Sequence, residues 1–266
     1  VTLFTSQKDT SSGILAAERV IYTILDKTQG FPARRFFTMS SATLYRWSGI
    51  VLLIGSVVGV IGSLLDTMLY FGTNPTPQQT LSIPFAIDSS LFLAWALLLS
   101  LGLPGLYLRQ ASRAGVLGFV GFVLLFLGML LAGVGYAIVQ LTIFPYLAQS
   151  APKLIPSSNG TGPLVGALLW WIVPGLSLAV GNILLGIATV RSRVFPLLAG
   201  MLLIVAAVVS VMGNLPILSP FGDIMSLASN LVLFVAFAVF GSTLVAGGKK
   251  SVVALERSTP VAQAGQ

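Results

Sequence analysis

The chain has 266 residues, 56% of them hydrophobic and only 8% charged, with 14 Lys and Arg against 7 Asp and Glu. A soluble domain carries about one-quarter charged residues, so water is not the solvent this composition suits. With no cysteine and no histidine, disulfides, thiol nucleophiles, histidine bases and the usual zinc ligands are all excluded.

The formal charge of +7 lies in short basic clusters beside apolar blocks. It forms no stripe interleaved with aromatics, so nucleic acid is not an expected partner. Residues 1–46 read as a cytoplasmic N-terminal tail. Their first 30 residues contain no continuous apolar core, so no cleavable leader is expected. Ser11 and Ser12 precede ILAAERVIYTILDK, where Ile14, Ala17, Ile21, Ile24 and Leu25 share one face; this predicts an interfacial amphipathic helix over 13–28. Met39 stands just before the first long apolar block and is an alternative start, in which case 1–38 would carry no function.

From residue 47 the apolar blocks reach the roughly 20 residues that a helix needs to cross a bilayer. Spans are predicted near 48–70, 89–108, 116–144, 165–190, 195–213 and 224–246, making 47–247 a six-helix transmembrane domain. The third block is longer than a bilayer requires and is expected to tilt or to extend toward Tyr146. Residues 248–266 are polar and small, which predicts a disordered cytoplasmic tail. The fold class is all-α, a polytopic membrane helical bundle.

The connectors sort by charge. Arg34, Arg35 and Arg46 precede the first span, Arg109 and Arg113 join the second to the third, Arg191 and Arg193 join the fourth to the fifth, and Lys249 and Lys250 follow the sixth. The other three connectors carry one basic residue, Lys153. Basic residues are retained on the cytoplasmic side, so these residues act as topology determinants and both termini are expected in the cytoplasm of an inner (plasma) membrane. Tyr45, Trp47 and Tyr107 fall at the inner boundary, and Tyr70, Phe144, Tyr146, Trp170 and Trp171 at the outer one, as interface anchors do.

The spans pair as three outward-and-return hairpins. SGIVLLIGSVVGVIG, VGFVLLFLGMLLAGVG and AGMLLIVAAVVSVMG open them, which suggests three helical-hairpin repeats. Gly55 and Gly59 form a GxxxG that Ser63 extends, and Gly115, Gly118, Gly121 and Gly128 stud the third span. Small residues let helix backbones approach, either within the bundle or across a homo-oligomer seam.

Three carboxylates are tied to the spans. Asp88 and Asp223 fit helix N-caps, whereas Asp66 lies one turn inside the first span, where it must snorkel, pair or take a proton. Gathered with Gln140, Asn214 and Asp223, it would form an outer polar pocket. Asn182 and Asn230 sit deeper and are expected to make intramembrane contacts between helices. Pro104 and Pro174 predict kinks, and Pro84, Pro152, Pro156 and Pro163 stiffen outer loops. No catalytic residue, metal site or cofactor is assigned, and no P-loop, dinucleotide fingerprint or nucleophile elbow occurs.

The segments LYRWSGIVLLIGS and LGLPGLYLRQASRAGVLGFVGFVLLFLGMLL resemble uncharacterised multi-span integral membrane proteins of bacteria. The likeness covers mainly the first three spans and implies a bacterial inner membrane, with no activity to carry over. The residues themselves point first to a non-catalytic membrane protein that acts by packing or through partners: the bilayer, a second copy or another membrane protein. A small-solute or ion transporter or channel using Asp66 is the alternative, and an intramembrane enzyme restricted to carboxylates is the third.

Overall fold

The computed structural model describes residues 41–71, 75–152, 172–214 and 221–258, with side chains up to residue 247. The chain divides into two units after residue 40. The first unit, with the predicted helix over 13–28 and Met39, lies outside the described residues, as do Lys153, Trp170, Trp171 and the side chains of Lys249 and Lys250.

Helix α1 spans Ser41–Tyr70 and buries Ser48, Gly49, Leu52, Gly55, Ser56, Gly59 and Gly62. Its opposite face exposes Ile50, Ile54, Val57, Ile61 and Leu64. Small side chains inside and bulky apolar ones outside invert the pattern of a water-soluble helix. Lipid supplies no hydrophobic drive between helices, so close backbone approach takes its place.

The short helix α2, Pro77–Thr80, is held by a capping box: the Gln79 backbone N–H donates to Thr76 Oγ1 at 3.3 Å and the Thr76 N–H donates to Gln79 Oε1 at 2.7 Å. A second cap follows at once. Ser82 Oγ accepts from the Phe85 N–H at 3.4 Å and Pro84 occupies the first turn, so Pro84 starts a helix where a stiffened loop is predicted. Asp88 therefore is not an N-cap; it lies inside the helix and is 4% exposed.

From that cap, helix runs through Ile83–Gly128, a π-helical stretch at Met129–Gly135 and Tyr136–Ser150. Gly115 interrupts it with φ 59° and ψ −160°, a backbone region that only glycine enters at low cost. The two arms, α3 (83–114) and α4 (116–150), fold back on one another. Tyr107 stacks on Phe122 with centroids 4.7 Å apart, Gly133 packs on Ala96, and Phe92 meets Tyr136 at 6.1 Å, pairs that mirror one another about Gly115. Pro104 keeps helical φ and ψ around it in α3, Pro174 falls in the first turn of α5, and the non-helical backbone of the 83–128 run is at Gly115.

Nothing lies within 4 Å of a Cβ added at Gly115, so Gly115→Ala isolates the backbone term. It is expected to lower stability by about 1–3 kcal/mol in denaturation of the detergent-solubilised protein. Gly175→Ala, which also meets open space but in helical backbone, should instead leave stability unchanged or raise it by up to about 1 kcal/mol.

Helix α5, Val173–Ser192, ends on Arg193 in the left-handed conformation, φ 52°. Helix α6 is Leu197–Gly213 and α7 is Gly222–Ser258, which continues past residue 247, where the pattern predicts the helix to end and a disordered tail to begin.

The rods α1, α3, α4, α5, α6 and α7 pack in a closed ring of antiparallel neighbours. Gly55 meets Leu98 and Leu99 of α3; Gly121 and Gly181 join α4 to α5; Gly186 meets Gly200 between α5 and α6; Ser229 Oγ donates to the Ala206 carbonyl at 2.8 Å between α7 and α6. Gly49 against Gly241 and Gly59 against Phe234 close the ring between α1 and α7. The two glycines of the GxxxG thus serve two different neighbours inside the chain. One apolar cluster draws on all six rods, including Leu52, Leu103, Leu125, Leu185, Leu203 and Phe237, each 0% exposed.

Four helical runs, Ser41–Tyr70, Ile83–Ser150, Val173–Ser192 and Gly222–Gly247, are long and apolar enough to cross a membrane, and Leu197–Gly213 is a shorter apolar helix. Exposed apolar side chains such as Val57, Leu101 and Val116, between 60% and 79% exposed, suit a lipid surround. The antiparallel ring puts Arg46, Arg109, Arg113, Arg191 and Arg193 at one end and Asp66, Asp88 and Asp223 at the other.

Candidate functional site

At the acidic end, α1 and α7 enclose a cleft of about 50 Å³ lined by Ser63, Asp66, Thr67, Tyr70, Phe71, Asp223, Ser226, Leu227 and Asn230. Residues 63, 66, 67 and 70 share one face of α1, and 223, 226, 227 and 230 share one face of α7, because residues three, four and seven apart lie in line on a helix. Antiparallel packing brings the two stripes face to face. Thr67 Oγ1 donates to the Ser63 carbonyl at 2.8 Å, leaving its lone pairs for a ligand.

Asp88 of α3 does not line the cleft. It is close enough to Asp66 for their charges to interact, as Asp66 is to Asp223, and Tyr70 and Tyr136 are within range of both Asp66 and Asp88. Tyr70 also meets the Phe85 ring edge-on at 6.3 Å, which ties the end of α1 to the start of α3.

The predicted pocket is brought together in part. Asp66 and Asp223 share the cleft. Gln140 adjoins the acidic end through its hydrogen-bond neighbour Tyr136 and does not line the cleft; its Oε1 is buried with no partner among the described residues. Asn214 turns back instead, its Nδ2 donating to the Ser210 carbonyl at 2.8 Å. Asn230 lines the cleft between α1 and α7. Asn182 is 5% exposed, and its Oδ1 has no partner among the described residues where a hydrogen bond between helices is predicted. In the sequence Ser63 reads as a packing residue and Tyr70 as an interface anchor, and Thr67 and Ser226 are not singled out, although the spacing of the polar residues on α1 and α7 carried the signal.

The basic end has its own polar contacts. Arg109 Nη1 donates to the Thr243 carbonyl of α7 at 3.1 Å, and its guanidinium sits 5.6 Å from the centre of the Phe195 ring. Thr189 Oγ1 donates to Gln110 Oε1 at 3.1 Å, both residues being 0% exposed. Arg109 thus bridges α3 to α7 and to the Phe195 ring. Arg46, Arg113, Arg191 and Arg193 are exposed, as snorkelling residues at a membrane boundary are.

Chemically, the cleft offers carboxylate, hydroxyl and amide oxygens, the donor set of hard cations. Among the described residues no group of three His, Cys, Asp or Glu side chains is placed to hold a metal ion. No family model, curated protein or solved structure matches the chain.

Proposed function

We propose that this chain is a six-span integral membrane protein of a bacterial inner membrane, built from three helical hairpins, with its basic end and both termini in the cytoplasm. It acts without catalysing a reaction, through packing in the bilayer and contacts with membrane partners. The observation that carries this reading is the filled interior: side chains from all six rods meet in one apolar cluster, which suits a packed bundle better than a conduit. The segregation of five arginines from three aspartates supports the orientation, because translocation retains basic residues in the cytoplasm.

Two measurements test it. A reporter enzyme active only outside the cytoplasm should be silent when fused after Ala111 and active when fused after Ser150; the opposite result would overturn the orientation. In sealed vesicles the purified protein should show no flux under sodium, potassium or proton gradients.

The α1–α7 cleft favours one second reading, a cation or small-solute transporter. Gradient-driven flux in wild type that Asp66→Asn abolishes would replace the first reading with this one.

A further inference from the structure

We infer that the basic end of the α4–α5 seam is a binding site for an anionic phospholipid, its phosphate held by Arg113, Arg191 and Arg193 and one acyl chain lying along the furrow between the two helices. The inference names a partner within the reading of this chain as a membrane protein acting through membrane contacts, and it rests on that reading.

The packing gathers the charges. Gln110 of α3 and Thr189 of α5, both 0% exposed, are joined by a hydrogen bond of 3.1 Å. Arg113 follows Gln110 by three residues and Arg193 follows Thr189 by four, so each stands about one turn beyond that joint. Arg191 belongs to the same last turn of α5. Gly118 of α4 packs on Ala188, which brings the Gly115 turn alongside this helix end. All three arginines are exposed, none has a hydrogen bond or ion pair among the described residues, and every described carboxylate lies at the opposite end of the bundle. Gathered guanidiniums repel one another unless an anion lies between them, and their paired N–H groups match phosphate oxygens.

The backbone gives a second sign. Arg193 ends α5 with φ 52°, a left-handed conformation that glycine or asparagine usually takes at a helix end because a larger side chain is strained there. An arginine held in that conformation points to a use for its side chain.

The apolar half of the site separates a phospholipid from a free anion. Val120 and Leu124 lie in line on α4, as do Val180, Leu184, Ile187 and Arg191 on α5. Gly121 brings the two backbones together at Leu184 and Leu185, so the stripes border one furrow with Arg191 at its basic end. Val120 and Val180 are exposed, and Leu124, Leu184 and Ile187 are half-buried. Such a furrow takes an acyl chain below a phosphate, whereas inorganic phosphate gains nothing from it. A zwitterionic lipid carries its own ammonium, so three arginines without a carboxylate favour a headgroup of net negative charge.

The test is lipid competition for the purified full chain in phosphatidylcholine vesicles, read as the immobilised fraction of spin-labelled phosphatidylglycerol against that of spin-labelled phosphatidylcholine. Phosphatidylglycerol should bind at least about tenfold more tightly, and added salt should weaken the preference. Arg113→Gln and Arg191→Gln should each lower it about two- to fivefold, while Arg46→Gln, on α1, leaves it unchanged. Arg193→Gly should lower the preference yet keep or raise Tm, because glycine suits the left-handed helix end; an arginine with a purely structural role would not separate the two readouts.

Equal affinity for the two lipids would overturn the inference. So would equal losses in Arg46→Gln and Arg191→Gln, which would spread the attraction over the whole basic face, or displacement of the lipid by inorganic phosphate at matching concentration, which would assign the arginines to a soluble anion. Lipid preference is read whichever way the chain is inserted and whether or not it conducts. An active reporter after Ala111, or flux in vesicles, would therefore overturn the proposed function and leave this result standing.

Discussion

Gly181→Val is expected to abolish the folded bundle or to cost about 3 kcal/mol, the upper end for overpacking. A Cβ at Gly181 runs into the backbone of Leu124 and Leu125, and one at Gly121 would stand 2.5 Å from the Leu185 backbone nitrogen. Flexible side chains yield to such intrusions, but two helix backbones in contact yield only by moving apart. Separating α4 from α5 would break the ring at this joint and loosen the apolar cluster in which Leu125 and Leu185 are both 0% exposed. A domain has only about 5–15 kcal/mol of total stability to lose.

The alanine pair sharpens the test. Once Gly181→Ala has pushed α4 and α5 apart, Gly121→Ala meets a gap already opened, so the double variant should cost less than the two single losses added together. Gly62→Ala, whose Cβ meets its nearest neighbour at an ordinary 3.5 Å, is the control and should be nearly neutral. The measurement is unfolding in detergent by heat or denaturant. A Gly181→Val protein that melts like wild type would refute the close approach of α4 and α5.

Arg109→Ala is expected to destabilise the bundle by about 2–4 kcal/mol, because it removes two interactions at once. The charged hydrogen bond to the Thr243 carbonyl falls in the class worth about 1.5–3 kcal/mol, and the contact with the Phe195 ring adds about 0.5–1 kcal/mol for a half-buried site. Arg109→Lys should restore less than half of the loss, since a single ammonium cannot both reach the carbonyl and cover the ring.

Gly247 provides the cross-check. A Cβ there would collide with the Arg109 guanidinium, so Gly247→Ala should destabilise the wild-type protein and be tolerated in the Arg109→Ala background. Additive losses in that cycle would show that the guanidinium does not occupy this position. Arg113 and the basic residues of the other connectors remain, so a reporter fused after Ala111 should stay silent in Arg109→Ala. Stability and orientation are thereby separated in one residue.

Much of the local structure was readable without coordinates. The capping box at Thr76 and Gln79 and the Ser82 cap with Pro84 behind it are short-range patterns whose partners lie three residues apart, yet the predicted start of the second span at 89 overlooked them. Asp88 was read as a cap because it precedes two serines; Ser82 had already satisfied that helix end, and the extra turns carried Asp88 into the interior. The turn at Gly115 was legible as a connector between Arg113 and Val116. Its positive φ, and the mirror pairing of Tyr107 with Phe122, were not.

The chain's apolar block lengths and its alternation of basic connectors predict six rods with the arginines gathered at one end, and the structure has that arrangement. They say little about which way a rod is turned about its own axis. That choice was made by tertiary packing, where glycines allowed one neighbour rather than another to come close. It sent Gly55 to α3 and Gly59 to α7, set Asp66 opposite Asp223 and Asn230, and turned Asn214 back onto its own helix. In lipid every apolar face is solvated equally well, so only the shape of the contact decides rotation, and shape depends on residues far apart in the chain.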